Sequence, residues 1–472
     1  MKILLLSPPT DSVIKSVIGT TGPPLGLAYL ASVAREQGDD VRIIDSIAMD
    51  YTKGQVKGLI KAYDPDLIGI TSTTSMIPDA YNIARFAKTY NSDIKIAIGG
   101  PHVTFTPDTT LNESPDIDYV IIGEGETVFS NLLQYLKGKK DLREVRGISY
   151  RNSGGIVISP PEELIKDIDS IPMPALDLLP MDRYVADRKR FGTIMTSRGC
   201  PYNCIFCSSS LQFGKRWRGH STERVMAELR RLVYDYGLHE IEFLDDTFTL
   251  NMKRAMEIAH KIKEEKLDIR WSASARVNLF SAEIAKAMKD SGAHTVYFGI
   301  ESGNQKTLDF IGKGITLQQA MDSVRKGNEA GLNTLGSFII GFPDDTKEDV
   351  RNTIRFAKKV KVMLAQFTIA TPYPGTRLWH LAKSRGLIKT MDWRKYTTLS
   401  PVMALANFTD AEILRWLGKA YVSFYLRPSY LLHDLIRDHG FVFKRIIPYY
   451  SKAIAAFKRG DGLQEDFSKT IS

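Results

Sequence analysis

The residues of this chain best suited to chemistry lie in one loop, at positions 197–208, which contains Cys200, Cys204 and Cys207. These are the only cysteines among 472 residues, and their spacing is C-x3-C-x2-C. Three thiolates on one short loop can bind an iron–sulfur cluster, whose usual protein ligands are cysteines. Because the chain has no fourth cysteine, one iron would stay open to an exogenous ligand.

Other uses of these thiols have to be weighed. Buried cysteines can pack as small apolar side chains, but that use would scatter them along the chain. Zinc bound by three thiolates normally has a histidine partner at short spacing, and the next histidine, His220, lies well beyond the loop. The odd count and the length of the chain exclude a disulfide scaffold.

The loop resembles the signature of the radical S-adenosylmethionine (SAM) superfamily, which has an aromatic residue before the third cysteine, here Phe206. The resemblance implies that Cys200, Cys204 and Cys207 hold a 4Fe-4S cluster, with Phe206 beside the cofactors. The amino and carboxylate groups of SAM would bind the open iron. Reductive cleavage of SAM would then give a 5′-deoxyadenosyl radical that abstracts hydrogen from an unactivated carbon.

The composition indicates a soluble chain of two or three domains. Its residues are 43% apolar and 25% charged, which is typical of globular proteins. We find neither a signal peptide nor an apolar run of the length that spans a membrane. Cysteines without pairing partners indicate a reducing cytoplasm. The net charge of +9 is compatible with nucleic acid or an anionic membrane surface, and of these two we expect only peripheral membrane contact.

The amino-terminal third alternates apolar strands with helices. Strands are expected at 3–6, 41–44, 67–70, 94–98 and 119–122, and helices at 26–35, 55–62, 79–89 and 127–136. This alternation predicts a parallel sheet covered on both faces. Ligands bind such sheets beyond the carboxyl ends of the strands, where the chain has small or turn-forming residues. The candidates there are Pro9, Ser72, Thr73, Ser75, Gly99, Gly100, His102, Gly123 and Glu124.

This order, with Pro-Pro-Leu-Gly-Leu at 23–27, resembles the cobalamin-binding domain found upstream of many radical SAM domains. The resemblance implies that the candidates above contact cobalamin. The D-x-H-x-x-G motif, whose histidine ligates cobalt in many cobalamin proteins, is missing, so cobalamin without a histidine lower ligand is expected. We interpret His102 as a loop residue near the corrin or the domain interface, with cobalt ligation as the alternative. A flavodoxin-like fold without a ligand, or with another nucleotide, is the other possibility for this third.

A linker, a second α/β unit and a helical end follow. Residues 143–158 predict a hairpin that turns at 152–155, and the proline-rich stretch up to 180 predicts a linker. Six strands alternating with helices predict a partial (β/α)6 barrel. We expect these strands near 193–196, 241–244, 270–274, 295–299, 336–340 and 366–370.

The expected architecture is therefore α/β throughout, with a helical region at the carboxyl end. An amino-terminal Rossmann-like (flavodoxin-like) cobalamin-binding domain is followed by the partial radical SAM barrel. The expected boundaries are 1–145 for the first domain, 146–185 for hairpin and linker, 186–384 for the barrel and 385–472 for the helical region.

The candidate groups of the barrel follow its strands, where barrel active sites lie. By resemblance, Asp245 and Asp246 hold the SAM amino group, which needs acceptors; a helix N-cap is the alternative for Asp246. Arg276 resembles the position that pairs with the SAM carboxylate, although a surface arginine is also possible. Glu301 resembles the position that accepts hydrogen bonds from the SAM ribose.

Two further candidates end the fifth and sixth strands. Gly341 matches the turn that contacts adenine in the family. Tyr373, in Thr-Pro-Tyr-Pro-Gly-Thr at 371–376, would face substrate and corrin and is the candidate catalytic residue. A plain Pro-Gly turn is the alternative.

The carboxyl-terminal region is rich in aromatic and cationic residues, and helices are expected at 411–426, 430–438 and 443–457. Such amphipathic helices can form a lid, lie on a membrane surface or accept a lipid. They can also simply pack an apolar stripe on the barrel.

These observations favour a cobalamin-dependent radical SAM enzyme that modifies an unactivated carbon of a small molecule or lipid, with methyl transfer as the leading reaction. An electron donor such as ferredoxin or flavodoxin would supply the reducing electron. The first alternative is a radical cyclase or oxidoreductase acting on a lipid or tetrapyrrole without methyl transfer. The second is a cobalamin-binding sensor or carrier with a vestigial cluster.

Overall fold

The computed structural model describes residues 1–10, 21–186, 189–427 and Tyr430. Its first sheet has seven strands in the order β2-β1-β3-β4-β5-β6-β7. The first five strands are parallel, and the β6–β7 hairpin continues the sheet in antiparallel. The strands are β1 (Lys2–Ser7), β2 (Asp40–Asp45), β3 (Leu67–Thr71), β4 (Lys95–Gly99), β5 (Tyr119–Ile121), β6 (Ile148–Asn152) and β7 (Gly155–Ile158).

Helices cover the sheet as the apolar strands require, because both faces must be removed from water. They are α1 (Leu25–Glu36), α2 (Lys53–Tyr63), α3 (Ile77–Tyr90), α4 (Pro101–Phe105), α5 (Pro107–Glu113) and α6 (Gly125–Leu136). The two short helices α4 and α5 were not predicted. Each begins at a proline, whose fixed φ suits a first helical position. They place His102 on a helix and not in a loop.

The second sheet has the order β16-β15-β14-β13-β12-β9-β8, with β8 antiparallel and the other six strands parallel. It confirms the six-stranded partial barrel. Its strands are β8 (Val185–Ala186), β9 (Lys189–Ile194), β12 (Glu240–Phe243), β13 (Arg270–Ala275), β14 (Ala293–Glu301), β15 (Asn333–Ile340) and β16 (Leu364–Ile369). The pair β10 (Ser197–Arg198) and β11 (Arg218–Gly219) lies beside it.

The first barrel strand ends earlier than the sequence suggested. The prediction placed it at 193–196, whereas β9 ends at Ile194. The amide of Thr196 donates to the Asp245 carboxylate over 2.6 Å instead of to a neighbouring strand. The chain therefore leaves the sheet here and enters the cysteine loop.

Most helices around this sheet begin at residues that cap them, as at Ser221, Thr316 and Thr346, whose side chains accept from backbone amides of the first turn. The helices are α7 (Ser209–Gln212), α8 (Thr222–Tyr234), α9 (Met252–Glu264), α10 (Ala282–Asp290), α11 (Gln305–Phe310), α12 (Leu317–Glu329), α13 (Lys347–Lys359), α14 (Arg377–Ser384) and α15 (Asp410–Tyr425).

Hydrophobic cores cross the boundary between the two sheets. Leu25 and Tyr29 of α1 belong to the core of the barrel. Trp379 and Trp393, which follow the barrel, belong to the core on one face of the first sheet. The two α/β units are thus held together from both sides.

Helix α15 packs on the last barrel strand, as expected if the carboxyl-terminal helices pack an apolar stripe on the barrel. The hydroxyls of Tyr421 and Tyr425 bond to the backbone of β16, at Phe367 and Ala365. The helices expected at 430–438 and 443–457 lie outside the described residues, apart from Tyr430. Within the described ranges, no helix has the length and apolar character needed to cross a membrane.

Candidate functional site

The cysteine loop is held against the barrel by backbone hydrogen bonds. Cys200 donates to Gly214 O over 3.1 Å, and Ile205 donates to Ile311 O over 3.0 Å. Gly199 precedes the first cysteine with φ +89°, and a Cβ there would lie 2.4 Å from Arg216 O. Only glycine fits this approach of two backbones.

All three thiols are partly buried at this loop. Burial raises the pKa of Cys200 and Cys207, and the nearby charge of Asp246 adds to the rise at both. Thiolates in such a setting need a positive centre to stabilise them, which the irons of a cluster provide. No group of His, Cys, Asp or Glu side chains in the described part of the chain converges around a single ion. A cubane does not require that convergence, because its three thiolates bind different irons. The donor set therefore fits a cluster.

The side chain of Asp245, predicted to hold the SAM amino group, is occupied by protein donors. Its side chain is fully enclosed, and its two oxygens accept from the amide and hydroxyl of Thr196 and from the Ser197 hydroxyl over 2.6–2.7 Å. These three donors hold the start of the cysteine loop. The neighbouring Asp246 is exposed, interacts with Ser209 and lies near the cysteines, so it is the carboxylate of the pair that remains available.

Arg276 is held by protein contacts beside the cysteine loop. The guanidinium stacks on the Tyr202 ring at 3.4 Å, and its nitrogens bond to Asn278 Oδ1 and to the Lys313 carbonyl. The remaining nitrogen, Nη1, lies 3.9 Å from the Cys204 sulfur. A guanidinium carries five N–H donors, so these contacts leave two for a carboxylate. The pairing of Arg276 with the SAM carboxylate stays a prediction.

Glu301 lies at the end of β14 in an unusual conformation. Its φ is +69°, in the left-handed region that side-chain-bearing residues rarely adopt. It is buried and accepts from Lys313 Nζ over 2.7 Å. Backbone strain of this kind concentrates at binding and catalytic sites, which agrees with the predicted role at the ribose.

Lys313 is not among the residues predicted from the sequence. It lies in Gly312-Lys313-Gly314, whose flanking glycines both have positive φ. Cys204 Sγ lies 3.8 Å from Gly312 O, so this segment covers the cysteine loop. The signal in the sequence that could have indicated Lys313 is a charged residue between two glycines, after a short helix.

The turn after β15 is fixed by another residue that was missed, Asp345. Its Oδ2 accepts from the amides of Gly341 and Phe342 over 3.1 and 3.0 Å. Burial raises the pKa of Asp345 to about 6. Phe342 packs against Phe206 with ring centroids 6.2 Å apart, so the turn with Gly341 lies beside the cysteine loop as expected.

Tyr373 and His102 meet in an aromatic cluster between the two units. The Tyr373 hydroxyl donates to Tyr396 O over 3.1 Å. His102 is buried against Trp393, with ring centroids 4.8 Å apart, and its Nδ1 lies 3.3 Å from Thr74 Oγ1. His102 is thus a domain-interface residue, and the catalytic role of Tyr373 stays a prediction.

A cavity of about 220 Å³ opens at the carboxyl ends of β3, β4 and β5. Its walls are mainly apolar, and Gly99, Gly100, Gly123 and Glu124 line it as predicted. A Cβ on Gly125, another lining residue, would lie 3.3 Å from the Leu30 side chain. Arg198 and Phe213 close the cavity from the side of the cysteine loop. An apolar, glycine-walled cavity fits the nucleotide tail of a corrinoid.

Four more of the residues predicted to contact cobalamin lie outside this cavity. Ser72 is fully buried and its hydroxyl donates to Thr73 O, so it shapes the loop and does not line the cavity. Thr73 and Ser75 are likewise absent from the cavity wall, where Thr71 stands instead. Pro9 lines a separate polar cavity with Asp79 and Arg394.

Comparison with known proteins agrees with this geometry. Residues 12–133 match the model of the B12 binding domain, and residues 194–357 match that of the radical SAM superfamily. An uncharacterised methyltransferase of Pyrococcus horikoshii is 58% identical over 447 residues, which are 95% of this chain and 97% of that protein. The chain belongs to the cobalamin-dependent radical SAM family. It is a radical SAM enzyme, and the family's cofactors are the three predicted from the sequence.

Two more similarities are informative. An anaerobic magnesium-protoporphyrin IX monomethyl ester cyclase of Rubrivivax gelatinosus is 28% identical, covering 93% of this chain and 80% of the cyclase. The structure of TsrM from Kitasatospora setae, a radical SAM methyltransferase with cobalamin and a 4Fe-4S cluster bound, has a TM-score of 0.68. It is 19% identical and covers 82% of this chain and 79% of TsrM. The latter likeness shows a shared fold.

Proposed function

We propose that this enzyme transfers a methyl group to an unactivated carbon of a small-molecule or lipid substrate. The observation that carries the proposal is the position of the glycine-walled cavity, which Arg198 closes two residues before Cys200. A corrinoid in that cavity and a cluster on the three cysteines would be neighbours. The similarity to a methyltransferase over nearly the whole chain supports the same reaction.

When bound, the cluster and SAM supply a hydrogen-abstracting radical, and the corrinoid supplies a methyl group. The residues of this chain bind and shield these groups. Cys200, Cys204 and Cys207 would hold the cluster, and Glu301 would offer acceptors for vicinal hydroxyls, with Lys313 fixing one of its oxygens. Since no second set of cysteines exists, neither an auxiliary cluster nor a protein-thiol methyl carrier is expected.

The test is anaerobic incubation of the holoenzyme with reductant, cell extract and SAM carrying a trideuteriomethyl group, followed by mass-difference profiling. We expect a product that carries the deuterated methyl group, and none with the Cys200→Ala/Cys204→Ala/Cys207→Ala variant. A product that has only lost two hydrogens would instead establish the cyclase-type reaction, which the similarity to the Rubrivivax cyclase makes the second candidate.

Two partners belong to the proposal. An electron donor is required for reductive SAM cleavage, and a membrane surface is a further proposed contact for the cationic segment after α15. The membrane contact is not needed for the chemistry assigned above to the cysteine loop and the cavity.

A further inference from the structure

Four charged side chains are buried where the first sheet meets the cysteine loop. Glu124 and Glu126 follow β5, while Arg198 and Arg218 belong to the β10–β11 pair. Their side chains keep only 4% to 10% of their full exposure. We call them the interdomain charge cluster.

The interdomain charge cluster is built from two forked ion pairs, which one further contact joins at Glu124. Arg198 donates to both oxygens of Glu126 over 2.6 and 3.2 Å, and Arg218 donates to both oxygens of Glu124 over 2.8 Å. Arg198 also reaches Glu124 Oε1 at 3.4 Å. Forked pairing fixes orientation as well as distance.

The surroundings hold the cluster rigidly. The Arg198 guanidinium lies between the rings of Tyr29 and Phe213, each 5.7 Å away. Arg218 bonds further to the carbonyls of Ile165 and Phe213 over 2.7 Å. Linker, first domain and cysteine loop thus meet at these side chains.

The interdomain charge cluster contains two positive and two negative side chains, so its net charge is zero. Burial opposes the charge on Arg198, but Glu126 and Glu124 outweigh it and raise the pKa of Arg198. Buried ion pairs contribute little net stability compared with well-packed apolar residues, and their best-attested use is to fix one arrangement. A geometric role therefore explains this cluster better than stability does.

The position of the interdomain charge cluster indicates which parts of the molecule it would hold together. Glu124, Glu126 and Arg198 all line the glycine-walled cavity. Arg198 is separated from Cys200 only by Gly199, whose backbone is itself pinned. Any movement of the cavity wall against the cysteine loop would have to break the forked pairs.

We propose that the interdomain charge cluster sets the distance and orientation between the bound corrinoid and the iron–sulfur cluster, with Arg198 and Glu126 as positioning residues. This inference rests on the proposed function. A short-lived substrate radical must meet its methyl donor without a further domain movement, and small misplacements of reacting groups lower rates strongly.

The test is pulsed EPR of the holoenzyme, with cobalt as Co(II) and the cluster reduced, which reads their separation from the dipolar coupling. We expect a single narrow distance distribution in the wild type. Arg198→Lys, which keeps the charge but loses the fork, and Glu126→Gln should broaden or displace it at unchanged iron and corrinoid content.

The matched control is Arg224→Lys, because Arg224 forms a buried pair with Glu228 over 2.8 Å and bonds to linker carbonyls, but does not line the cavity. It should leave the distribution unchanged. If Arg198→Lys and Glu126→Gln both retain the wild-type distance distribution and only lower the melting temperature, the role of the interdomain charge cluster is structural and the inference is wrong. If the wild type shows no coupling, the proposed adjacency of the cofactors fails, and with it the function that the inference rests on.

Discussion

His102 shows at the scale of one residue how burial decides the charge of a side chain. The ring is 1% exposed and packs on Trp393, and burial lowers its pKa to about 4. A neutral, enclosed imidazole in an aromatic cluster serves packing, and it does not line the cavity assigned to the corrinoid.

The variant His102→Phe is predicted to lower the acid sensitivity of the protein. Between the unfolded pKa of 6.5 and the folded pKa of about 4, the unfolded chain binds more protons, so stability falls as pH falls through this window. The loss is on the order of 3 kcal/mol. Urea denaturation from pH 7 to pH 4 should show a flatter profile for His102→Phe.

His260→Phe is the control, because it makes the same replacement at an exposed histidine. The Co(II) EPR spectrum of bound corrinoid should show no histidine nitrogen coupling in either the wild type or His102→Phe. Loss of such a coupling on substitution would make His102 the cobalt ligand and contradict the placement described above.

At the scale of elements, the turns after the barrel strands depend on acceptors that hold backbone amides. Asp345 does this after β15, and Asp245 does it at the entry to the cysteine loop. Two carboxylates that follow strands are thus used to shape the loops that carry the site. The same position in the fold can serve binding, as at Glu301, or loop geometry.

Asp345→Asn is predicted to stabilise the protein above pH 6. The carboxyl pKa is raised from 3.8 to about 6 by burial. The folded state therefore binds the proton more tightly, and stability falls as pH rises through this range. An amide oxygen can still accept from Gly341 and Phe342, so the gain should reach at most about 3 kcal/mol and vanish near pH 4.

Melting temperatures of Asp345→Asn and of the wild type, compared between pH 4 and pH 7, measure this change in stability. The neighbouring Asp344 is exposed and pairs with Arg385, so Asp344→Asn serves as control with little change expected. A variant Asp345→Asn that is less stable than the wild type at pH 7 would show that the charge on this carboxylate is needed to hold the turn.

At the scale of the whole molecule, the two α/β units share their cores. Trp393 is 4% exposed and packs on His102 of the first unit and on Trp379 of the segment after the barrel. Its Nε1 donates to Glu113 over 3.3 Å. The relative position of the two sheets is therefore set by apolar packing as well as by the interdomain charge cluster.

Trp393→Ala is predicted to destabilise the protein by about 3–5 kcal/mol, the usual cost of removing a large buried aromatic side chain. Hydrogen exchange should accelerate in α4 and α5 and around α14 together, because all three elements lose the same packing partner. Trp416→Ala is the control, since Trp416 packs against the barrel core. Faster exchange confined to residues near 393 would show that the two units do not share a core.

The cofactor chemistry and the alternation of strands with long helices could be predicted without the structure. Cys200, Cys204 and Cys207 are close in space because they are close along the chain, and the alternation of apolar strands with helices allows few arrangements other than two parallel sheets. The glycines after β4 and β5 could likewise be placed at a cavity, because ligands of such sheets bind at the carboxyl ends of the strands.

The hydrogen-bond partners of the polar residues after the strands could not be predicted from the sequence. Asp245 and Arg276 follow strands as functional residues do, yet their hydrogen bonds go to protein partners that the sequence does not reveal. Glu124 pairs with Arg198 and Arg218, which lie 74 and 94 residues away along the chain. Pairing over such separations follows from how the two sheets pack. Local spacing can predict contacts made within one loop, whereas contacts between distant segments exist only once the chain has folded.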